Sequence, residues 1–231
     1  MPSSFAYILN SKSFRENSQL LDIFTEDYGR ICCVARPAKK RGKVLKGTIQ
    51  PFRYLHIQWI GKGDVQTLTD ADERGRHTIP PSEMMMGLYL NELLLLLSNP
   101  HAPIPEIFSA YKYTLHKLGD PLINQQIMMR FELYLLEHLG YSIALHDNEK
   151  VNEQVQPQTR YRFQLNEGLI LLEDKQSAYS QDIIINSELL LALQDIQNMP
   201  ESQWQALRVF LDAVFKALAP RNINTRRLLK I

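Results

Sequence analysis

The chain has 231 residues, 45% hydrophobic and 22% charged, with 26 Lys and Arg against 25 Asp and Glu. That leaves room for one large or two small domains with a buried core and excludes a disordered or fibrous polypeptide. The start of the chain lacks the basic and apolar regions of a secretory signal, and the longest apolar run, Met84–Leu97, is too short to cross a bilayer.

Cysteine occurs only at the adjacent Cys32 and Cys33, which suit neither a disulfide framework nor a zinc site, so a reducing cytoplasmic home is expected. Alternation of apolar residues predicts short strands over 6–9, 20–24, 31–35, 48–60 and 65–68. Turn signals separate them, clearest at Asp27-Tyr28-Gly29-Arg30 and Gly61-Lys62-Gly63-Asp64. About five strands and no long helix suit a five-stranded Greek-key barrel of the OB type.

The charge is distributed unevenly. No carboxylate occurs between Asp27 and Asp64, and that interval holds Arg30, Arg36, Lys39, Lys40, Arg41, Lys43, Lys46, Arg53 and Lys62. The rest of the chain is therefore net acidic. By composition alone such a run can be a solvated loop that confers solubility. Its setting offers a sharper reading, because it lies between two predicted strands and beside aromatic residues. In the second strand Leu55, Ile57 and Trp59 point one way and Phe52, Tyr54 and His56 the other. Cations that follow phosphates and rings that stack on bases are what a single-stranded nucleic acid requires. Core packing is the competing role for those rings, since one face of a small barrel must be filled.

Enzymatic readings are weak. Gly42 and Gly47 have the outer spacing of a phosphate-binding loop, but Thr48 stands where the essential lysine belongs, and Pro51 prevents the helix that should follow. Asp70, Asp72 and Glu73 abut Arg74 and Arg76 in what reads as an interdomain link, without a partner motif for metal-assisted chemistry. No nucleophile elbow or evident acid-base pair is present, and no catalysis is expected.

Composition shifts near Pro80 and Pro81, which sets the expected boundary between a barrel domain, 1–80, and a helical domain, 81–231. Met84–Leu97 is apolar nearly all round and reads as a buried central helix. A second helix is predicted over 105–118. A third opens at Asp120 and Pro121 and carries Ile127, Phe131, Tyr134, Leu135 and His138 on one side. The helical rhythm lapses over 141–185, where 161–165 and 169–172 flank Asn166-Glu167-Gly168 as a β-hairpin. His146, Asp147 and Glu149 read as a polar loop and not as a metal site. Two helices follow over 187–197 and 200–218, then an acid-free tail with Arg221, Arg226, Arg227 and Lys230. The expected fold class is α+β.

Four stretches carry a family resemblance: FTEDYGRICCVA from Phe24, ARPAKKRGKVLKGTIQPF from Ala35, GLYLNELL from Gly87 and RFELYLLEHLGY from Arg130. In this order and spacing they resemble the RecO family of bacterial recombination mediators. The resemblance implies an N-terminal OB-fold that binds DNA, a helical C-terminal domain and no enzymatic turnover. It implies binding of single-stranded DNA, with duplex DNA as a further ligand, annealing of complementary strands, and loading of RecA, together with RecR, onto DNA covered by single-strand-binding protein. It also implies a cytoplasmic location, at the nucleoid when bound to DNA. Many members hold a four-cysteine zinc module in the region 141–185; with no cysteine after Cys33, this chain is expected to be metal-free and to need no cofactor.

The DNA-binding candidates are Arg36, Lys39, Lys40, Arg41, Lys43, Lys46 and Arg53, with Tyr54 and His56 as stacking groups. For the acidic C-terminal tail of single-strand-binding protein the candidates are Arg130 and Tyr134, with Arg221 or Arg226. Two other classes of function stay open on the residues alone: an RNA-binding or ribosome-associated barrel, and a scaffold whose basic loop docks an acidic protein.

Overall fold

The computed structural model describes residues 1–36, 45–120, 124–141, 143, 155, 158–165, 167–172 and 182–229. The chain divides into two compact units, Met1–Met128 with Pro220–Ile231, and Met129–Ala219.

The first unit is built on a closed barrel of β1 (Ser3–Phe14), β2 (Ser18–Thr25), β3 (Gly29–Ala35), β4 (Arg53–Ile60) and β5 (Val65–Arg76). The strand order is β1-β2-β3-β5-β4, closed by the β1–β4 pairing, and only β3 and β5 run parallel. Alternate residues fill the interior. Ala6 and Ile8 meet Leu55, Ile57 and Trp59 there, as the alternation in the sequence requires.

Two boundaries differ from expectation. The strand predicted over 48–60 begins only at Arg53, because Leu45–Thr48 forms a single helical turn, α1, and Pro51 and Phe52 make a turn. Pro51 has no amide hydrogen to give a sheet. Phe52 takes a left-handed backbone, φ 65, and its ring is buried, so it does not share an outer strand face with Tyr54 and His56. The last strand continues to Arg76 instead of stopping at 68, which puts Asp70, Asp72 and Glu73 in β5 and not in a link. Register shifts at Tyr54/Leu55 and Gln58/Trp59 bend the ribbon, so that β5 pairs with β3 at its start and with β4 along most of its length.

After a 3-10 turn, Pro81–Glu83, come α2 (Met84–Leu97) and α3 (Pro105–Lys117). Each of the three non-apolar positions in the middle of α2 has a partner in the same unit. At Gly87 an added Cβ would lie 2.8 Å from the Phe52 ring, so only glycine lets that ring seat. Asn91, fully buried, donates its amide to the Leu9 carbonyl at 3.0 Å and accepts from the Tyr111 hydroxyl of α3. Glu92 accepts from the Asn224 and Thr225 amides at 3.0 and 2.8 Å. The Leu9 carbonyl is available because β1 carries a bulge there: Ile8 pairs with Ile23 and Asn10 with Asp22, leaving Leu9 unmatched. Outside the barrel, Tyr7 and Phe24 pack on Phe108 and Tyr111, with ring centroids 5.1 to 6.3 Å apart.

The second unit holds most of α4 (Asn124–His138), β6 (Arg160–Gln164), β7 (Gly168–Leu171), β8 (Ile183–Asn186), α5 (Ser187–Gln194) and α6 (Glu201–Leu218). The expected hairpin is β6–β7, and β8 adds an unpredicted third strand on the other side of β6. Three consecutive isoleucines favour that strand, and the Asn186 side chain then caps α5 by accepting from the Leu189 amide at 2.9 Å. Inside, Arg208 of α6 pairs with the buried Glu132 of α4 at 2.6 Å. The opening of α4 at Pro121 and the polar loop with His146, Asp147 and Glu149 lie outside the described residues. Among the described residues no helix is long and apolar enough to cross a membrane. The fold is α+β.

Asn91→Leu keeps the size of the side chain but leaves the Leu9 carbonyl buried without its donor. It is expected to lower the unfolding free energy by about 1–3 kcal/mol in urea denaturation, while Leu93→Ile, a volume-conserving swap, is expected to cost less than ~1.5 kcal/mol.

Candidate nucleic-acid interface

The basic stretch joins two distant places on the barrel. Its first end leaves β3 at Ala35, which pairs with Gln19 beside the β1–β2 turn. Its second end enters β4 at Arg53, whose neighbour Leu55 pairs with Ala6 near the other end of β1. From Ala6 to Phe14 the strand extends roughly 25 Å at 3.3 Å per residue. A polyanion following this stretch would therefore meet much of the barrel's length.

At the first end Arg36 is exposed, and it lines a recess together with Arg15 from the β1–β2 turn, a residue that the sequence reading overlooked. Lys39, Lys40, Arg41 and Lys43 lie outside the described residues, as does the side chain of Lys46, whose backbone belongs to α1. At the second end Arg53 is engaged: it pairs with Glu73 at 2.5 Å and donates to the Gln50 side chain at 2.7 Å. Glu73 also binds Arg76 at 2.7 Å. Burial opposes ionisation of Glu73, but the hydrogen bonds and charges of Arg76 and Arg53 outweigh it and hold its carboxyl below the usual carboxylate range. Asp72 pairs with Arg74 at 3.2 Å. These acids balance local cations.

Tyr54 is also occupied. Phe5 stacks on it with centroids 5.0 Å apart and planes 13° from parallel, and the Lys112 ammonium of α3 lies 3.9 Å from its ring centroid. His56 meets Phe5 edge-on at 5.4 Å. Phe5, at 36% exposure, thus joins His56 as an accessible ring of this cluster. It precedes the strand predicted over 6–9, and only the cross-strand pairing of Phe5 with His56 reveals it.

One other cation of the acid-free interval is structural. Arg30 donates twice to the Ser98 carbonyl, at 3.3 and 3.2 Å, just after Gly29, where a Cβ would meet Ala102 at 2.4 Å. Lys62 is exposed in the β4–β5 turn. Tyr7 and His77 share a hydrogen bond of 2.9 Å. Burial raises the Tyr7 phenol, while burial followed by the charges of His116 and Lys112 holds His77 below the usual imidazole range. Their proton affinities are pushed apart, so the pair stays neutral and joins β1 to the segment after β5. Burial also pushes Cys33 up to about 12 and raises Cys32, which disfavours the thiolate at both. Among the described residues no group of three or more His, Cys, Asp and Glu could hold a metal ion.

The four residues expected to hold an acidic tail fall in different units. In the second, Arg130 donates to the Ile196 carbonyl at 3.1 Å with its guanidinium 5.7 Å from the Trp204 ring centroid, and Tyr134 packs on His138 at 4.2 Å. Arg221 and Arg226 belong to the first, in the segment that Glu92 holds.

The family model for the N-terminal domain of recombination protein O matches residues 1–74, and that for its C-terminal domain matches residues 81–217. The chain belongs to the RecO family. Its relatives include the DNA repair protein RecO of Methylococcus capsulatus, 30% identical over 231 residues that cover 97% of this chain and 91% of that protein. The DNA repair protein RecO of Glaesserella parasuis is 33% identical over 188 residues, 79% of this chain and 78% of that protein. That of Nitrosococcus oceani is 36% identical over 168 residues, 72% and 68% of the two chains. In this RecO-family chain the N-terminal match covers all of β1 to β4 and nearly all of β5.

Burial opposes the charge on Glu92, but the Thr225 hydroxyl and the Thr225 and Asn224 amides, with Arg221 nearby, overcome it and depress its pKa. A depressed carboxylate contributes stability that is complete above its unfolded pKa and is lost as pH falls through the lower, folded value. Amide exchange at Asn224 and Thr225, corrected for intrinsic rates, is expected to accelerate only in that acid range in the unaltered chain, and already at neutral pH in Glu92→Gln.

Proposed function

We propose that this chain is a recombination mediator that binds single-stranded DNA along the basic stretch between β3 and β4. It anneals complementary strands and, with RecR, helps load RecA onto DNA covered by single-strand-binding protein. Membership of the RecO family makes this a DNA repair role, the function named for its relatives. The observation that carries the DNA contact is the acid-free interval between Asp27 and Asp64, which runs between two ends of a closed barrel.

In this reading Arg36, Lys39, Lys40, Arg41, Lys43 and Lys46 neutralise phosphates and release their counterions, while Phe5 and His56 offer rings to bases. Arg53 contributes less, since Glu73 already answers its charge. Annealing suits such a surface, because phosphate contacts tolerate any sequence and leave base edges free to pair. Duplex DNA binds through the same phosphates. The acidic tail of single-strand-binding protein engages the second unit, where Arg130 and Tyr134 supply a cation beside aromatic rings. The protein acts without turnover, in the cytoplasm.

Changing Lys39, Lys40 and Arg41 together to Glu is expected to weaken binding to all single-stranded sequences alike. The slope of log affinity against log salt should become shallower by about 2, at roughly 0.7 per lost contact. Arg53→Ala is expected to change the slope by less than one contact. Unchanged affinity and slope in the triple variant would remove the DNA from this stretch, and stronger competition by RNA or by an acidic peptide would reassign the surface to those ligands. Arg130→Ala is expected to weaken binding of an acidic, aromatic-ended peptide at least fivefold by fluorescence anisotropy.

A further inference from the structure

The apolar side of α3 is buried, and its outer side leaves Lys112, Tyr113 and His116 exposed and Lys117 half-buried. Side chains four apart on a helix are neighbours, so Lys112 with His116 and Tyr113 with Lys117 form two rows. The first row borders the barrel within the same unit. The Lys112 ammonium lies 3.9 Å from the Tyr54 ring centroid, and the His116 ring lies 6.5 Å from that of His77, which directly follows β5. The second row stands about 100° further round the helix. There the Lys117 ammonium lies 5.7 Å from the Tyr113 ring centroid. The one acid of α3, Glu106, belongs to its first turn, roughly 9 Å along the axis from Lys112. Histidine and lysine suit the last turn of any helix. Tyr113 has no such explanation: an aromatic side chain loses rotamer freedom in a helix, and at 55% exposure it recovers little by burial.

This face continues the second end of the basic stretch. Rings and cations follow one another from the barrel onto the helix: His56 and Phe5, then Lys112 over the Tyr54 ring on which Phe5 stacks, then Tyr113 with Lys117. A ring does not neutralise the cation over it, and the exposed Lys112 keeps N–H donors for a further partner. A lone anion would use the lysines and leave Tyr113 idle. An acidic peptide brings charge without a ring at each repeat, whereas a nucleic-acid strand brings a phosphate and a flat base with every residue. We propose that a single strand leaving the basic stretch at β4 crosses the outer side of α3, with Lys112 and Lys117 on its phosphates and one base laid on Tyr113. The proposal rests on the DNA-binding reading above and extends it from the barrel to a helix. Stacking engages the face of a base and leaves its pairing edge open, as annealing requires. The bases of a duplex are already stacked on one another, so Tyr113 serves single strands alone.

The test uses the full chain. Irradiation of its complex with an oligonucleotide carrying 5-iodouracil in place of thymine is expected to crosslink peptides containing 112–117, mapped by mass spectrometry. Tyr113→Ala is expected to weaken oligothymidine binding at least fivefold, the lower bound for losing one base stack, without altering the salt slope, and Tyr113→Phe to restore it. The alanine variant should bind duplex DNA, and a strand whose bases have been removed, as the unaltered chain does. Lys112→Gln together with Lys117→Gln is expected to make the salt slope shallower by about 1.4, two contacts at roughly 0.7 each. An equal loss in Tyr113→Ala on the base-free strand would overturn the stack in favour of a plain anion surface. Crosslinks confined to other peptides, or unchanged affinity and slope in the α3 variants while the Lys39, Lys40 and Arg41 variant still lost its slope, would overturn the α3 contact and uphold the loop. Absence of any binding by the unaltered chain would overturn both.

Discussion

One buried amide organises the first unit. The bulge at Leu9 bends β1 as the barrel closes, and it frees a carbonyl that the sheet no longer satisfies. In an apolar setting such a group is costly unless a donor reaches it. Asn91 provides the donor from the middle of a helix that is otherwise almost wholly apolar, and the Tyr111 hydroxyl fixes the amide's orientation from a second helix. Barrel curvature, the register of α2 against β1 and the placement of α3 are thereby one problem with one solution. Slide α2 by a single residue and the amide rotates away by about 100°, since a turn holds 3.6 residues.

The same unit sorts its cations by neighbourhood. Arg30 is spent on a carbonyl, Arg53 on a carboxylate and Lys112 on a ring, so charges that look alike in the sequence do different work in the fold. Among the described residues, Arg36 and Arg15 stay exposed together at one end of the basic stretch, with the accessible rings of Phe5 and His56 at its far end. The division suits a long, flexible ligand, because a chain of charges can be held at separate points without being gripped throughout.

The barrel was legible because period-2 alternation has few competing readings, and Leu55, Ile57 and Trp59 state it plainly. α2 was legible because fourteen residues of nearly unbroken hydrophobicity have no home but a core. Phe52 misled because alternation continues through it in the sequence, and only the tertiary contact at Gly87 shows the chain turning. Asp72 and Glu73 looked like a link because charge suggests solvent, whereas in β5 each faces an arginine. Arg15 and Phe5 were invisible for a different reason. Their neighbours are distant in sequence, and no local pattern announces a cross-strand pair or a recess built from three separate segments.

The capture of Asn224 and Thr225 by Glu92 has a consequence for how the molecule is made. The first unit is discontinuous: everything from Met129 to Ala219 is an insertion between its body and its closing segment. During synthesis the barrel and its two helices emerge early, yet the half-buried Glu92 carboxylate receives its donors only after the whole inserted unit has left the ribosome. Cutting the chain after residue 128 would leave that carboxylate permanently without them. The barrel can thus start folding before the second unit exists, while its contact at Glu92 forms only after that unit has been made.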